Sequence, residues 1–352
     1  MGLDTHEMYG GSSWRRLTCW RLGLAWLALA LATQAQDAAP APYVGETVPP
    51  DIERMVERGL GYLQRLQAAN GQWPNPGGQD GPAIQGLALM ALVAEGEDPR
   101  HGRYADTIRR GLDAMLQQQD EQGYFGPTMY HHGFATLALA ELYGMLDDER
   151  LGSALARAVN LILDAQKRNP SNAWRYRPND TSADTTVSGG CLVALFAARN
   201  AGLEAPDEAI RQAIEYYRSA QGESGAIGYM DASGSGLGGG SSGARNAIAV
   251  LVAVLADERD SRLFNGAWSV LRSHGEQDSG NYYFYYLYYA AQAYFRADMA
   301  AWRLWNRQTA DRLIATQNAQ GGWDGPHGST FCTTAALLTL ALNYRYLPIY
   351  ER

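Results

Sequence analysis

Two kinds of apolar pattern alternate along the chain from about residue 51 onward. In the first, spaced apolar residues sit among Arg, Glu, Asp and Gln, as in IERMVERGLGYLQRLQ (52–67) and DEAIRQAIEYYRSAQ (207–221). At 3.6 residues per turn this gives one apolar stripe and one wet face, so each such segment predicts a helix that faces solvent. The second kind is apolar nearly all round and rich in small residues: AIQGLALMALVA (83–94), GFATLALAELY (133–143), GGCLVALFAA (189–198), NAIAVLVAVLA (246–256) and TTAALLTLALNY (333–344). A helix apolar on every side has to be buried.

Between the two kinds a phrase recurs. It runs Leu63, Gln67, Gly71, Trp73; then Leu116 near Gln119, Gly123, Phe125; then Tyr217, Gln221, Gly225, Ile227; finally Leu313, Gln317, Gly321, Trp323. Each copy has Gln, three residues, Gly, one residue and a large apolar side chain. A looser copy joins Gln166 to Trp174 with Asn, Pro and Ser where the glycine belongs, and a degenerate one lies between Trp268 and Tyr283. A period of roughly fifty residues marks stacked helical repeats rather than separate domains. Six units of one wet and one buried helix predict a single all-α domain over residues 51–347, followed by a short tail at 348–352. The last inner segment is as apolar as the middle ones, with no polar capping repeat, which favours a closed two-layered (α/α)6 toroid over an open solenoid.

The Gln-x3-Gly-x-Trp phrase resembles the repeat of the terpenoid cyclase and protein prenyltransferase superfamily over residues 51–347. The stretches WRYRPNDTSADTTVSGG, NYYFYYLYYAAQAYF and YRYLPIY look most like its short secreted bacterial members, the prenyltransferase and squalene oxidase repeat proteins. In the phrase, glutamine bonds backbone groups left open at a helix end, glycine takes the left-handed conformation, and the aromatic ring packs over the junction with the next repeat. Full squalene cyclases have two toroids, so this chain corresponds to half of one.

Arg15, Arg16 and Arg21 ahead of the apolar run Leu22–Ala32 read as an export signal over residues 1–35, with a flexible entry at 36–50. The run is short of the roughly 20 residues needed to span a bilayer, so the expectation is a periplasmic or extracellular protein with no membrane anchor after signal removal. The arginine pair leaves the twin-arginine route open beside the ordinary one. The formal charge of -8, with Lys167 as the single lysine, offers no basic stripe for nucleic acid. Cys191 and Cys332 permit one disulfide, and the sequence does not say whether they meet.

The cyclases of the superfamily protonate an alkene with the central aspartate of an Asp-x-Asp-Asp-Thr motif at the start of an inner helix. Ser182-Ala183-Asp184-Thr185-Thr186 keeps that central aspartate alone. Asp184 is therefore the candidate catalytic acid, and equally a candidate N-cap. The prenyltransferase zinc set needs Asp-x-Cys, and Thr186 stands at the cysteine position, so no metal and no cofactor are expected. Candidate ligand-binding residues are Trp174, Arg175 and Tyr176 in a polar aromatic loop, Tyr282, Tyr285, Tyr286 and Tyr289 on the fifth inner helix, and His132 and His327. Arginines of that loop can also simply pair with acids, and the tyrosines can fill the barrel wall. The glycine stretch at 233–243 reads as a mobile loop, a lid over the mouth; its dinucleotide-like spacing lacks the preceding strand that would give it meaning. Three functions stay open: a terpenoid-cyclase-like enzyme or binder holding an apolar or isoprenoid ligand in the central cavity, a secreted polysaccharide lyase or glycan-binding α/α barrel, and a non-catalytic scaffold.

Overall fold

The computed structural model describes residues 48–96, 98–233 and 242–350 of the chain. The expected export signal, most of the entry segment and residues 234–241 of the expected lid lie outside the described residues. The described part is all-helical, with no strand among its residues.

Twelve α-helices form six pairs. The outer members are α1 (Pro50–Leu66), α3 (Ala105–Leu116), α5 (Glu149–Arg168), α7 (Asp207–Ser219), α9 (Arg262–His274) and α11 (Met299–Thr316). Alternating with them are the inner members α2 (Pro82–Val93), α4 (Met129–Tyr143), α6 (Thr185–Asn200), α8 (Ser242–Leu255), α10 (Tyr283–Ala297) and α12 (Ser329–Ala341). Each inner helix packs on the next, and α12 packs on α2 while α11 meets α1, so the ring closes. The toroid expected from the alternating patterns is the fold observed.

The recurring phrase is the fastener. The amide of Gln67 donates to Gly71 O in its own loop at 3.0 Å and to Thr107 O on the next outer helix at 2.9 Å. Gln119 does the same to Gly123 and Ala154, Gln166 to Asn172 and Ala209, and Gln221 to Gly225 and Leu263. Gln317 donates to Gly321 at 2.8 Å and across the closure to Met55 on α1 at 2.9 Å. The seam between last and first repeat is thus fastened like the interior joints. Glycine is required beside it: Gly71 has φ +82°, and a Cβ there would stand 2.2 Å from Arg110 O of the neighbouring helix. In the looser third copy Asn172 adopts the left-handed conformation, φ +50°, which asparagine tolerates better than most residues.

The wedge side chains complete the joint. Trp73, Trp174 and Trp323 each donate their indole N–H to a carbonyl of their own outer helix, Leu63 O, Ile162 O and Leu313 O, at 2.8–2.9 Å. The backbone N–H of each wedge residue is in turn received by a buried polar side chain on the following inner helix: Gln85 for Trp73, His132 for Phe125, Ser188 for Trp174, Asn246 for Ile227 and Thr333 for Trp323.

The lumen is filled by side chains. Phe134 on α4 reaches across the ring to Tyr288 on α10, ring centroids 5.7 Å apart, and Tyr288 and Tyr285 both pack edge-on against Tyr289. At the end where the inner helices finish, the chain beyond 347 folds back as a short 3-10 turn, Pro348–Tyr350. Leu347 and Ile349 are buried there, Ile349 N donates to Glu141 at 3.0 Å, and Arg296 donates to Ile349 O. Cys191 and Cys332 are both buried free thiols. No helix among the described residues is long and apolar enough to cross a membrane.

Candidate functional site at the mouth of the barrel

The inner helices all begin at one rim, where the loops after the outer helices converge. At this rim α6 is capped by Asp184, whose side chain is fully buried. Asp184 Oδ1 accepts from Thr186 N (3.0 Å), Val187 N (2.8 Å) and Thr186 Oγ1 (2.7 Å). The other oxygen, Oδ2, has no hydrogen-bond partner and faces Arg175 Nη1 at 3.8 Å, itself buried and without a hydrogen bond. Burial pushes the Asp184 carboxyl above its usual range, against the pull of the Val187 and Thr186 bonds and of Arg175.

Aromatic rings frame this pair. The Arg175 guanidinium lies over Tyr176 at 5.0 Å and over Tyr229 at 5.7 Å, and the two tyrosine hydroxyls meet at 2.6 Å. Tyr176 and Tyr229 stand two residues after the wedge in adjacent repeats, and their carbonyls receive the first N–H of α4 and of α6 respectively. Tyr130, at the start of α4, donates to Thr186 Oγ1, the same hydroxyl that donates to Asp184, and burial drives its phenol far up. Its ring also lies 6.1 Å from Tyr176 and 6.4 Å from Tyr285.

Of the residues singled out in the sequence, the structure brings Asp184, Arg175 and Tyr176 together, with Tyr285 beneath them. Tyr282 and His327 stack on one another at the same rim. Trp174 does not reach the mouth: it is the third-repeat wedge, 1% exposed. His132 is likewise a joint residue, its Nδ1 accepting from the Phe125 N–H and its Nε2–H donating to the Ala158 carbonyl, and burial holds its imidazole down to about 4. Tyr286 turns toward the outer layer, where Trp305 donates to its hydroxyl at 3.3 Å, and Tyr289 sits inside the lumen packing. Tyr229, Tyr130 and Thr186 escaped sequence reasoning. The repeated position two after the wedge was the available signal for Tyr229. Among the described residues no group of acidic, histidine and cysteine side chains is arranged to hold a metal.

The family model described as "Domain of unknown function (DUF6288)" matches residues 53–349. The chain belongs to the DUF6288 family. No curated protein matches this DUF6288 sequence. Solved structures share its fold at low identity. One is an inactive variant, with two successive aspartates replaced, of the α-1,6-mannanase GH76A of Salegentibacter sp. HEL1_6 in complex with α-1,6-mannotriose: TM-score 0.63, 11% identity, 82% of this chain and 98% of that one. The family 76 glycoside hydrolase (mannosidase) Bt3792 of Bacteroides thetaiotaomicron VPI-5482 gives TM-score 0.58 at 11% identity over 82% and 97%. The type II terpene cyclase MstE of Scytonema, as a variant with its geranylgeranyl dihydroxybenzoate substrate, gives 0.53 at 14% over 85% and 98%. These likenesses place the DUF6288 domain among α/α toroids.

Proposed function

We propose that this barrel binds a neutral glycan at its mouth, with Arg175 and Asp184 sharing sugar hydroxyls against the rings of Tyr176 and Tyr229. The observation that carries the reading is the pair of buried atoms, Nη1 and Oδ2, 3.8 Å apart and each without a hydrogen-bond partner. A sugar hydroxyl accepts and donates at once, so one hydroxyl or two vicinal ones satisfy both atoms. An isoprenoid would leave each unpaired, at about 1–3 kcal/mol apiece, and an anionic ligand would face the carboxylate. Ring faces supply the flat apolar surface on which a sugar lies. The mannooligosaccharide bound by a fold neighbour supports the same ligand class, and the export signal at 1–35 suits an encounter with periplasmic or extracellular glycans.

Glycosidic hydrolysis in its common form uses two carboxyl groups about 5–9.5 Å apart, whereas among the described residues Asp184 is the one buried carboxyl group paired with Arg175. The reading is therefore recognition rather than cleavage. The terpenoid-cyclase-like alternative, with Asp184 as acid, draws on the same orphaned oxygen and on the raised carboxyl, but the packed rings of Phe134, Tyr285, Tyr288 and Tyr289 stand where a polyprene would lie.

An array of neutral and uronate-bearing oligosaccharides tests it. The protein is expected to retain neutral glycans, and Asp184→Asn to weaken them about tenfold or more, because the new amide turns a donor toward the Arg175 donor. Asparagine caps a helix as well as aspartate does, so the fold should survive. Equal binding by the variant, or an array with nothing bound, sinks the reading.

A further inference from the structure

Tyr282 and His327 stand apart from the Arg175 cluster. Their rings are stacked at 4.8 Å with an interplanar angle of 26°, Phe331 meets His327 edge-on, and Tyr282 is 42% exposed. The loop that carries His327 is held firmly: its carbonyl accepts from Asn75 Nδ2 at 2.9 Å, and Asn75 Oδ1 accepts from Phe331 N at 3.1 Å. The ring nitrogen Nε2 of His327 is nevertheless buried with no hydrogen-bond partner. An open aromatic face beside an unsatisfied polar atom, on a loop that cannot easily move, is what a sugar subsite requires and what a purely structural ring pair does not.

The two places are joined by the half-buried ring of Tyr130 and the buried ring of Tyr285. Tyr130 is 6.1 Å from Tyr176 on one side and 6.4 Å from Tyr285 on the other, and Tyr285 reaches Thr186 O at 3.4 Å. Tyr282 precedes Tyr285 by about one helical turn. An occupant that touches both Arg175 and Tyr282 is therefore longer than a single sugar ring.

We propose that Tyr282 and His327 form a second glycan subsite, so that the mouth takes an oligosaccharide laid across it rather than one terminal sugar. The inference rests on the glycan reading of the Arg175 cluster. One ring stacks on Tyr282, and one of its hydroxyls meets His327 Nε2.

Calorimetric titration of the full mature chain with two ladders, α-1,6-linked mannose and β-1,4-linked glucose oligomers of increasing length, decides it. Affinity for the ladder that binds is expected to rise with length. Tyr282→Ala and His327→Phe should each weaken the long oligomers about three- to tenfold and leave the monosaccharide unchanged, with Tyr282→Trp restoring the loss. Asp184→Asn should weaken every length. Affinity independent of length, or a Tyr282→Ala loss equal for short and long oligomers, overturns the second subsite and leaves the first standing. No binding by any oligomer of either ladder overturns both.

Discussion

The first and third repeats are joined to their neighbours by the same wedge, yet they end differently at the mouth. In the first, Gln85 accepts from Trp73 N and donates to Trp73 O, both at 3.1 Å, and α2 starts after Gly81 with no side-chain cap. In the third, Ser188 makes the same two contacts with Trp174, at 3.0 and 3.1 Å, and α6 starts under Asp184. The joint is one device made from different residues. The cap position just beyond it varies between repeats, and in the third it carries a buried carboxylate with one oxygen left without a hydrogen bond.

If the joints are equivalent, removing either wedge should cost the same. Trp73→Ala and Trp174→Ala are each expected to destabilise the fold by about 3–5 kcal/mol in urea unfolding. A Trp174→Ala cost well below that of Trp73→Ala would break the comparison and return Trp174 to the list of ligand residues.

A sharper version concerns the second joint, where a titratable group does the work of Gln85. His132 is neutral in the fold, with its imidazole held down to about 4 by burial, while an unfolded histidine titrates near its ordinary 6.5. The unfolded chain therefore takes up the proton first as pH falls. Stability present above 6.5 is lost toward pH 4, by about 3 kcal/mol. His132→Gln is expected to flatten that part of the pH–stability curve. An unchanged acid slope would mean His132 is not the group responsible.

The smallest effect should come from exchanging the loop residues. Gly71→Asn sets a Cβ against Arg110 O and forces φ +82° on a side chain, and is expected to cost about 1–3 kcal/mol. Asn172→Gly, at φ +50°, should change stability by less than about 1 kcal/mol, because relief of backbone strain is offset by the freer unfolded chain. Comparable losses in the two variants would show that the third joint depends on asparagine itself.

The fold was legible because its fastener is written in one residue type. Gln67, Gln119, Gln221 and Gln317 keep their spacing to glycine, and the buried helices betray themselves by lacking a polar face. The inner half of each joint was not legible, since Gln85, His132, Ser188, Asn246 and Thr333 do one job with five side-chain types and each alone reads as a stray polar residue. That is also why His132 resembled a ligand residue. Trp174 was misplaced for a related reason: its neighbours Arg175 and Tyr176 do face the mouth, and a residue in an irregular loop carries no periodicity to tell inward from outward. Asp184 was visible through its place at a helix start. Its orphaned oxygen was not, because Arg175 comes from the loop before and Tyr229 from the repeat after.

The Gln317 bond to Met55 has a last consequence. A linear stack of repeats can peel from either end, one unit at a time, but a hoop latched at every boundary offers no loose end, and detaching any unit ruptures two boundaries together. Between α9 and α11 an ion pair of Glu276 with Arg312 also ties the two outer helices. Amide exchange should accordingly be no faster in the first and last repeats than in the middle of the ring.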